Sequence, residues 1–455
     1  MNIIQIVSDT FRREHLGCYG NPWIHTENLD AFAEKSVVFD RAYIASYPTL
    51  PNRHDLFTGR YTFIDSGWGP LPRDEIILSQ ILRQSEYTTM LIVDTYHMIR
   101  DEQYYDRGFD GWWWIRGQEE DRYMTNPTRE SEDRRRAMGT RYLQNVSLRK
   151  FESDYFVAQT MTAAVRWLEL NYDQHEKFFL HIDTFDPHEP WDPPKWYADM
   201  YDPDWKGGGV MGGAYVPGVK RPVASDLTCD ELNHIKALYA GEVTLVDRWI
   251  GMFLQKIEDL GLYENTAVIF TTDHGTYLGE HGYIGKKPRL YEEVTHIPLI
   301  IRLPNSEGCV NKRCQALVQP PDLMPTILEL AGIQLPETVQ GKSLLPLMRE
   351  EVDQKREISV SSSGLVKPRP VVDQPWITVT SEEWAFLAVR DDSPLVDELG
   401  RKVEPELYHL PTDPQQTNNL YNKEKDIAQE LQSNMIQFLK SLGAREEILL
   451  NWRSG

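Results

Sequence analysis

The sequence predicts an α/β protein built on a mainly parallel sheet with helices on both faces. Three observations carry this. Short apolar, β-branched runs alternate with longer helical patterns along most of the chain. The runs are nearly continuous in apolar residues, as strands buried on both faces are. Carboxylate and imidazole side chains fall just beyond several of them, where parallel sheets collect their functional groups.

Strands are expected over Ile3–Val7, Val37–Tyr43, Thr88–Val93, Phe178–Ile182, Thr266–Thr271 and Ile297–Arg302. Helices are expected near Leu78–Gln84, Ala158–Asn171, Asp230–Leu260 and Leu323–Ala331, with Gly261 and Gly332 as helix stops. Residues 101–155 differ. They carry Trp112-Trp113-Trp114, then Glu119-Glu120-Asp121 and Arg134-Arg135-Arg136, and read as a solvated helical insertion, a lid, or a contact between copies in a homo-oligomer. Beyond residue 350 the pattern changes again. Trp384–Arg390 reads as a strand, Asp413-Pro414 as a turn, and Lys425–Leu442 as a last helix. The expected division is a large α/β domain over 1–350, interrupted by the charged insertion, and a small α+β C-terminal subdomain over 351–455.

Composition limits the function classes. With 69 Asp and Glu against 48 Lys and Arg, the formal charge is −21, which argues against broad binding of nucleic-acid polymers. A small anionic substrate stays open, because a metal ion and a few cations reverse the field locally. The 13 Trp, 22 Tyr and 15 Phe are costly to expose, so a folded chain is expected. Cys18, Cys229, Cys309 and Cys314 form no C-x-x-C pair and imply no disulfide scaffold. No apolar run approaches the ~20 residues of a membrane span, and the first residues read as a strand rather than a cationic leader. A cytoplasmic protein with no membrane partner is the expectation.

Asp9 follows the first strand, and Asp273 and His274 follow Thr266–Thr271. If both strands lie parallel in one sheet, two carboxylates and an imidazole converge at one edge. That donor set suits a divalent cation: Mn, Ca, Zn or Mg. Helix capping is the plainer alternative for a carboxylate at a strand end. Pro51 suits the first turn of a helix and places Thr49 near a helix N-terminus, where N–H groups and the dipole favour an anion. Arg53, one turn on, is placed to hold Thr49 or a transferred group; an N-cap Thr beside a surface Arg is the alternative.

The run Thr271-Thr272-Asp273-His274-Gly275-Thr276-Tyr277-Leu278-Gly279-Glu280-His281-Gly282-Tyr283-Ile284-Gly285-Lys286 resembles the sulfatase segment T-S/T-D-H-G-x-x-L-G-E-H-G-x-x-G-K. His15-Leu16-Gly17-Cys18-Tyr19-Gly20 resembles the family's H-L-G-C-Y-G. Leu290-Tyr291-Glu292-Glu293, Asp322-Leu323-Met324-Pro325-Thr326 and Glu406-Leu407-Tyr408 through Asn418-Asn419-Leu420 continue the resemblance in order, over most of the chain. It implies a sulfatase-family member of the alkaline phosphatase superfamily, with that superfamily's sheet sandwiched by helices, and Asp9, Asp273 and His274 as ligands of one metal ion per site. The family's second Asp is Thr10 here, a position where related phosphonate monoester and phosphodiester hydrolases also lack an Asp.

The family's nucleophile signature is Cys or Ser, any residue, Pro, any residue, Arg, ending in T-G-R. Thr49-Leu50-Pro51-Asn52-Arg53 through Thr58-Gly59-Arg60 keeps its spacing; the register Ser46-Tyr47-Pro48 puts Leu50 where Arg is required. By resemblance Thr49 is the nucleophile, and no formylglycine is expected, since oxidised Thr is a ketone. Lys286 matches a lysine on the transferred group. His188, in Asp186-Pro187-His188-Glu189-Pro190, matches a histidine at the leaving group, and Asp183 and Asp186 lie near it, as ligands of a second metal do in bimetallic relatives. His97 matches the histidine of the family's G-K-W-H, whose lysine is missing here. Trp114–Glu119 looks like a subgroup-specific segment approaching the substrate. A Thr ester must be cleaved by water at the central atom, which is ordinary phosphoryl chemistry. The expected function is therefore a metal-dependent hydrolase of phosphodiesters or phosphonate monoesters acting through Thr49. The alternatives are a sulfuric ester hydrolase without formylglycine, a phosphotransferase, or a catalytically silent binding protein.

Overall fold

The computed structural model describes residues 1–128, 135, 139–207, 223–287, 289–304, 311–354, 356–365, 376–390, 396–397 and 399–452. Arg134, Arg136 and Cys309 lie outside them. The chain forms two compact units, each drawn from three segments. The first comprises Met1–Val38, Ser79–Lys286 and Pro298–Arg313; the second comprises Phe39–Leu78, Lys287–Ile297 and Cys314–Gly455. The residues after 350 all belong to the second unit, together with two earlier stretches.

The first unit is organised by a parallel sheet. Its strands run in the spatial order Gly111–Trp114, Thr88–Val93, Phe178–Thr184, Asn2–Ser8 and Thr266–Thr271, and Leu299–Arg302 follows antiparallel. The central strands are buried along their whole length, which is why they lack polar alternation in the sequence. The long helix Cys229–Asp259 and the helix Phe156–Asn171 share the core of this unit with the sheet: Leu245, Val246 and Phe253 meet Val157, Met161, Ile4 and Leu180. The long helix is opened by a capping box. Thr228 Oγ1 accepts from the Glu231 N–H at 3.2 Å, and Glu231 Oε2 accepts from the Thr228 N–H at 2.8 Å.

Two expectations needed correction. The strand expected over Ile297–Arg302 is two short strands, His296–Ile297 and Leu299–Arg302, parted by Pro298, which has no N–H for a ladder. Its second part runs antiparallel to Thr266–Thr271, so the sheet is mixed at that side. Gly111–Trp114, expected to lead into a solvated insertion, is instead a parallel strand paired with Thr88–Val93. It sits at the sheet edge with Trp112 and Trp113 exposed, so it lacks the continuous apolar character of the others. Within 139–155 the described chain also packs inward, with Tyr142 and Leu143 in the core.

The second unit holds a four-stranded antiparallel sheet, in the order Ser359–Ser361, Trp376–Thr380, Trp384–Val389 and Glu406–His409. Phe386, Leu407, Met435 and Leu439 join this sheet and the helix Lys425–Ser441 in one core. The same unit contains the helix Thr49–Thr58, every residue of which is buried. Among the described residues no helix is long and apolar enough to cross a membrane.

Candidate active site and metal centre

In the first unit the register brings the ends of the parallel strands level. Val7 pairs with Thr271, Ser8 with Thr184, and Val93 with both Asp183 and Trp114. The segments leaving those strands therefore start from one edge. They carry Asp9, Asp273, His274, His97, His188 and Glu119.

Asp9, Asp273 and His274 meet as the sequence anticipated. All three are fully buried, and each offers a ligand atom within 4.8 Å of the others. Asp273 Oδ1 accepts from the Thr10 N–H at 2.9 Å and the His274 N–H at 2.8 Å. His274 Nδ1 lies 2.9 Å from the Gly275 carbonyl, to which it donates. Nε2, the nitrogen left to face a cation, lies 3.3 Å from Asp273 Oδ2. Burial lowers the His274 ring below the ordinary histidine value; Asp273 and Asp9 oppose this and Lys286 adds to it. Two carboxylates and a neutral imidazole, buried together, form a donor set that fits a divalent cation.

Thr10 stands at φ 61°, a left-handed backbone that a β-branched residue adopts only when its surroundings hold it. Three bonds do so: Thr10 Oγ1 donates to Asp9 Oδ1 at 2.6 Å, the Thr10 N–H is held by Asp273, and the Thr10 carbonyl accepts from the Tyr239 hydroxyl at 2.9 Å. Tyr239 in turn accepts from the Arg12 N–H at 2.8 Å. Nothing in the sequence pointed to Tyr239, which lies 229 residues from Thr10.

Lys286 and His188 are brought together, with Nζ 2.5 Å from Nε2. His188 Nδ1 donates to the Glu189 carbonyl at 2.5 Å. His97 Nε2 lies 2.5 Å from Glu119 Oε2. Burial alone would raise the Glu119 carboxyl. The His97 ring, with His188 and Lys286, outweighs it and holds the group down at about 2. Glu189, against burial, is also held low by His188 and Lys286. The pairing of Glu119 with His97 is a tertiary contact that spacing alone did not reveal. Asp183 and Asp186 are engaged otherwise: Asp183 accepts from the Thr95 hydroxyl, and Asp186 accepts from Gln118 Nε2 and the Val157 N–H, both at 3.1 Å. Among the described residues they join no cluster of ligand geometry.

Thr49 and Arg53 belong to the second unit. Thr49 is the first residue of its helix, as the sequence anticipated. Arg53 is fully buried, which removes the surface-Arg alternative. The polar helix tolerates burial because Asp55 accepts from the Ser46 N–H and hydroxyl, both at 2.8 Å, and from the Thr62 N–H and hydroxyl at 2.9 and 2.7 Å. Gly59 closes the helix at φ 65°, its N–H donating to the Asp55 carbonyl at 2.9 Å.

The sulfatase family model matches residues 1–333. The chain belongs to the sulfatase family. Among curated proteins, this sulfatase-family chain is 24% identical to the N-acetylglucosamine-6-O-sulfatase of Bacteroides thetaiotaomicron, over 96% of this chain and 86% of the relative. Other curated relatives also carry sulfatase names. Among solved structures it resembles a protein in complex with its substrate D-glucosamine-2-N,6-O-disulfate (TM-score 0.76, 20% identity, 98% of this chain and 99% of the other). It also resembles the phosphonate monoester hydrolase of Agrobacterium radiobacter (TM-score 0.74, 21% identity, 97% and 95%). These structural likenesses establish the fold. The curated names support the sulfuric-ester alternative better than the phosphorus ester expected from Thr49.

Proposed function

We propose that this chain is a metal-dependent hydrolase of small esters that carry one negative charge at the reacting centre, with the Thr49 oxygen as nucleophile. The observation that carries the reading is the buried Asp9/Asp273/His274 donor set. Asp9, Asp273 and His274 would hold a divalent cation, which when bound would supply Lewis-acid polarisation of the ester oxygens. Thr49 attacks the central atom from its helix N-terminus, where N–H groups favour an anion. Lys286 and Arg53 stabilise charge on the transferred group. Thr49 and Arg53 take these roles from their match to the family signature.

Where the family carries a lysine, this chain has Thr95, whose hydroxyl is spent on Asp183. With one fewer cation, a singly charged ester suits the site better than a dianionic phosphate monoester. Sulfate monoesters, phosphodiesters and phosphonate monoesters all meet that condition. The sulfatase names of the relatives favour a sulfate ester, whereas an unoxidised Thr favours phosphorus.

The test is to assay wild type and Thr49→Ala, after metal reconstitution, on matched aryl sulfate, phosphodiester, phosphonate monoester and phosphate monoester. Turnover of a singly charged ester, lost in Thr49→Ala, is expected. A preference for the phosphate monoester would overturn the charge argument. Full activity in Thr49→Ala would overturn the nucleophile.

A further inference from the structure

Two arginines stand on the segments around His97, where the family's lysine is missing. Arg100 follows His97 on the segment that leaves Thr88–Val93, and Arg116 precedes Glu119 on the segment that leaves Gly111–Trp114. These strands end level, and His97 Nε2 meets Glu119 Oε2 at 2.5 Å. Both arginines therefore belong to one stretch of the sheet edge, within the first unit. Tyr96 links them. The Arg100 guanidinium lies 4.8 Å over the Tyr96 ring, and its Nη1 donates to the Tyr96 hydroxyl at 3.2 Å. Arg116 is held charged chiefly by its bond to Asp121, and the Tyr96 phenol adds to this. The Tyr96 ring lies 5.5 Å from that of His97.

Each guanidinium is fixed, and each keeps nitrogens that solvent reaches. Among the described residues Arg100 bonds Tyr96 and no carboxylate, although Asp101 and Glu102 follow it in the chain. Its Nε and Nη2 form an unspent edge, and neither is enclosed. Arg116 bonds Asp121 through Nε and Nη2 at 2.7 and 2.6 Å and lies 4.1 Å over the Trp114 ring, which leaves Nη1 open. The segment beneath it is tied down: the Gly117 N–H donates to Asp121 at 2.8 Å, and Asn145 Nδ2 donates to the carbonyls of Gly117 and Asp121, both at 2.9 Å. In a chain with 69 acidic residues, an arginine without a carboxylate is positive charge left over. Stacking on aromatic rings holds these two in place, and a forked guanidinium edge matches a carboxylate.

We propose that Arg100 and Arg116 form an anion subsite beside His97 that takes a carboxylate carried on the leaving alcohol of the substrate. This rests on the reading that the ester reacts at the Asp9/Asp273/His274 centre. It names the substrate class: an ester with one negative charge at the reacting atom and a second on its alcohol. The placing of cations supports it. Thr95 in the lysine position removes charge from the reacting group, while Arg100 and Arg116 supply charge on the segments that carry His97 and Glu119. A chain of formal charge −21 repels a doubly anionic substrate at long range, so a local pair of guanidiniums decides whether one is accepted.

The experiment uses the full chain, reconstituted with Mn, and the 3-carboxyphenyl and 3-carbamoylphenyl esters of whichever of sulfuric and phenylphosphonic acid the wild type hydrolyses. The two alcohols are nearly equal in size and differ in charge. Wild type should favour the carboxylate ester in kcat/KM by about 10²-fold, mainly through KM, as two charged hydrogen-bonding contacts provide. Added salt should shrink the preference. Arg100→Gln and Arg116→Gln should each lower the ratio by about tenfold, the double variant should remove it, and Arg100→Lys should keep part of it, as a charge without the fork. A merely structural role would slow both esters alike and leave the ratio where it was. Metal content and unfolding curves matching wild type confirm folding. Should Arg116→Gln disturb the Asp121 contacts, Arg100→Gln carries the test, since its bond is to Tyr96. A wild-type ratio near one, or a ratio that Arg100→Gln leaves unchanged, overturns the subsite. Titration calorimetry of the free alcohols separates this from failure of the reaction assigned to the centre. If neither ester is hydrolysed, but 3-hydroxybenzoate binds wild type at least about tenfold more tightly than 3-hydroxybenzamide and Arg100→Gln narrows the difference, the hydrolase reading falls and the subsite stands. Equal binding of acid and amide overturns the subsite.

Discussion

Restoring the family carboxylate, by Thr10→Asp, probes the candidate metal centre through its electrostatics. The backbone should accept the change, because Asp tolerates the left-handed conformation at φ 61° better than a β-branched residue. Two things differ afterwards. The hydroxyl that donates to Asp9 at 2.6 Å is lost, and hydrogen bonds to charged groups contribute about 1.5–3 kcal/mol. A third carboxylate also enters a group whose ligand atoms lie within 4.8 Å of one another. At that separation two unit charges repel by about 3.5 kcal/mol at an effective dielectric of about 20. The metal-free variant should therefore be less stable than wild type by about 5–6.5 kcal/mol, or bind a proton in compensation. A divalent cation reverses the sign, because three carboxylates now share its charge. Urea unfolding of chelator-stripped protein, with and without added Ca or Mn, measures the first effect, and titration calorimetry the second. The variant should gain more stability from metal than wild type does, and bind it at least about tenfold more tightly, or about 1.4 kcal/mol. A metal-free variant as stable as wild type, with no tighter binding, would show that these residues are not a cation site.

Tyr239→Phe removes the hydroxyl that pins the Thr10 carbonyl. Metal affinity by calorimetry should weaken by about 10–100-fold, as for other groups that orient ligands, and unchanged affinity would refute the link. Burial pushes the Asp247 carboxyl up to about 7, against the hydrogen bonds it accepts from Leu29 and Asn28. A carboxyl raised in the fold lends stability that is complete below pH about 4 and is lost as pH rises through about 7, here on the order of 4 kcal/mol. The stability gap between wild type and Asp247→Asn should therefore shift in favour of the variant from pH 4 to 8, and a gap independent of pH would contradict the burial argument. Gly59→Ala places a Cβ at φ 65°, 3.1 Å from Val339 Cγ1 and 3.2 Å from Met324 Sδ. It should cost about 1–2 kcal/mol by urea unfolding, and a neutral result would mean that the turn relaxes.

Much of the fold was legible because its central strands are buried on both sides and so read as largely apolar runs; Thr88–Val93 and Thr266–Thr271 have the boundaries expected. Gly111–Trp114 was not legible, since an edge strand needs no continuous apolar run and its tryptophans resemble the start of an insertion. The antiparallel sense of Leu299–Arg302 was equally hidden, because direction is set by the connection and not by composition. The Asp9/Asp273/His274 cluster was legible because ligand types at two strand ends need only parallel pairing to meet. What spacing did not show is which acid stands beside which histidine. Glu119 lies 22 positions after His97, and only the neighbouring strands Thr88–Val93 and Gly111–Trp114, whose ends lie level, bring them within 2.5 Å.

The helix that begins at Thr49 is closed by residues made much later. The Gly59 carbonyl accepts from the N–H groups of Gln340 and Gly341, at 2.8 and 2.9 Å. A ribosome adding roughly 5–20 residues per second needs tens of seconds to pass from the first to the second. During that interval the helix lacks its closing partners, and the Gly59 carbonyl has only water to bond. The nascent chain thus carries Thr49 for most of its synthesis without these closing partners of its helix. A single cut cannot separate the second unit from the first, and any truncation before residue 341 leaves this helix unfinished.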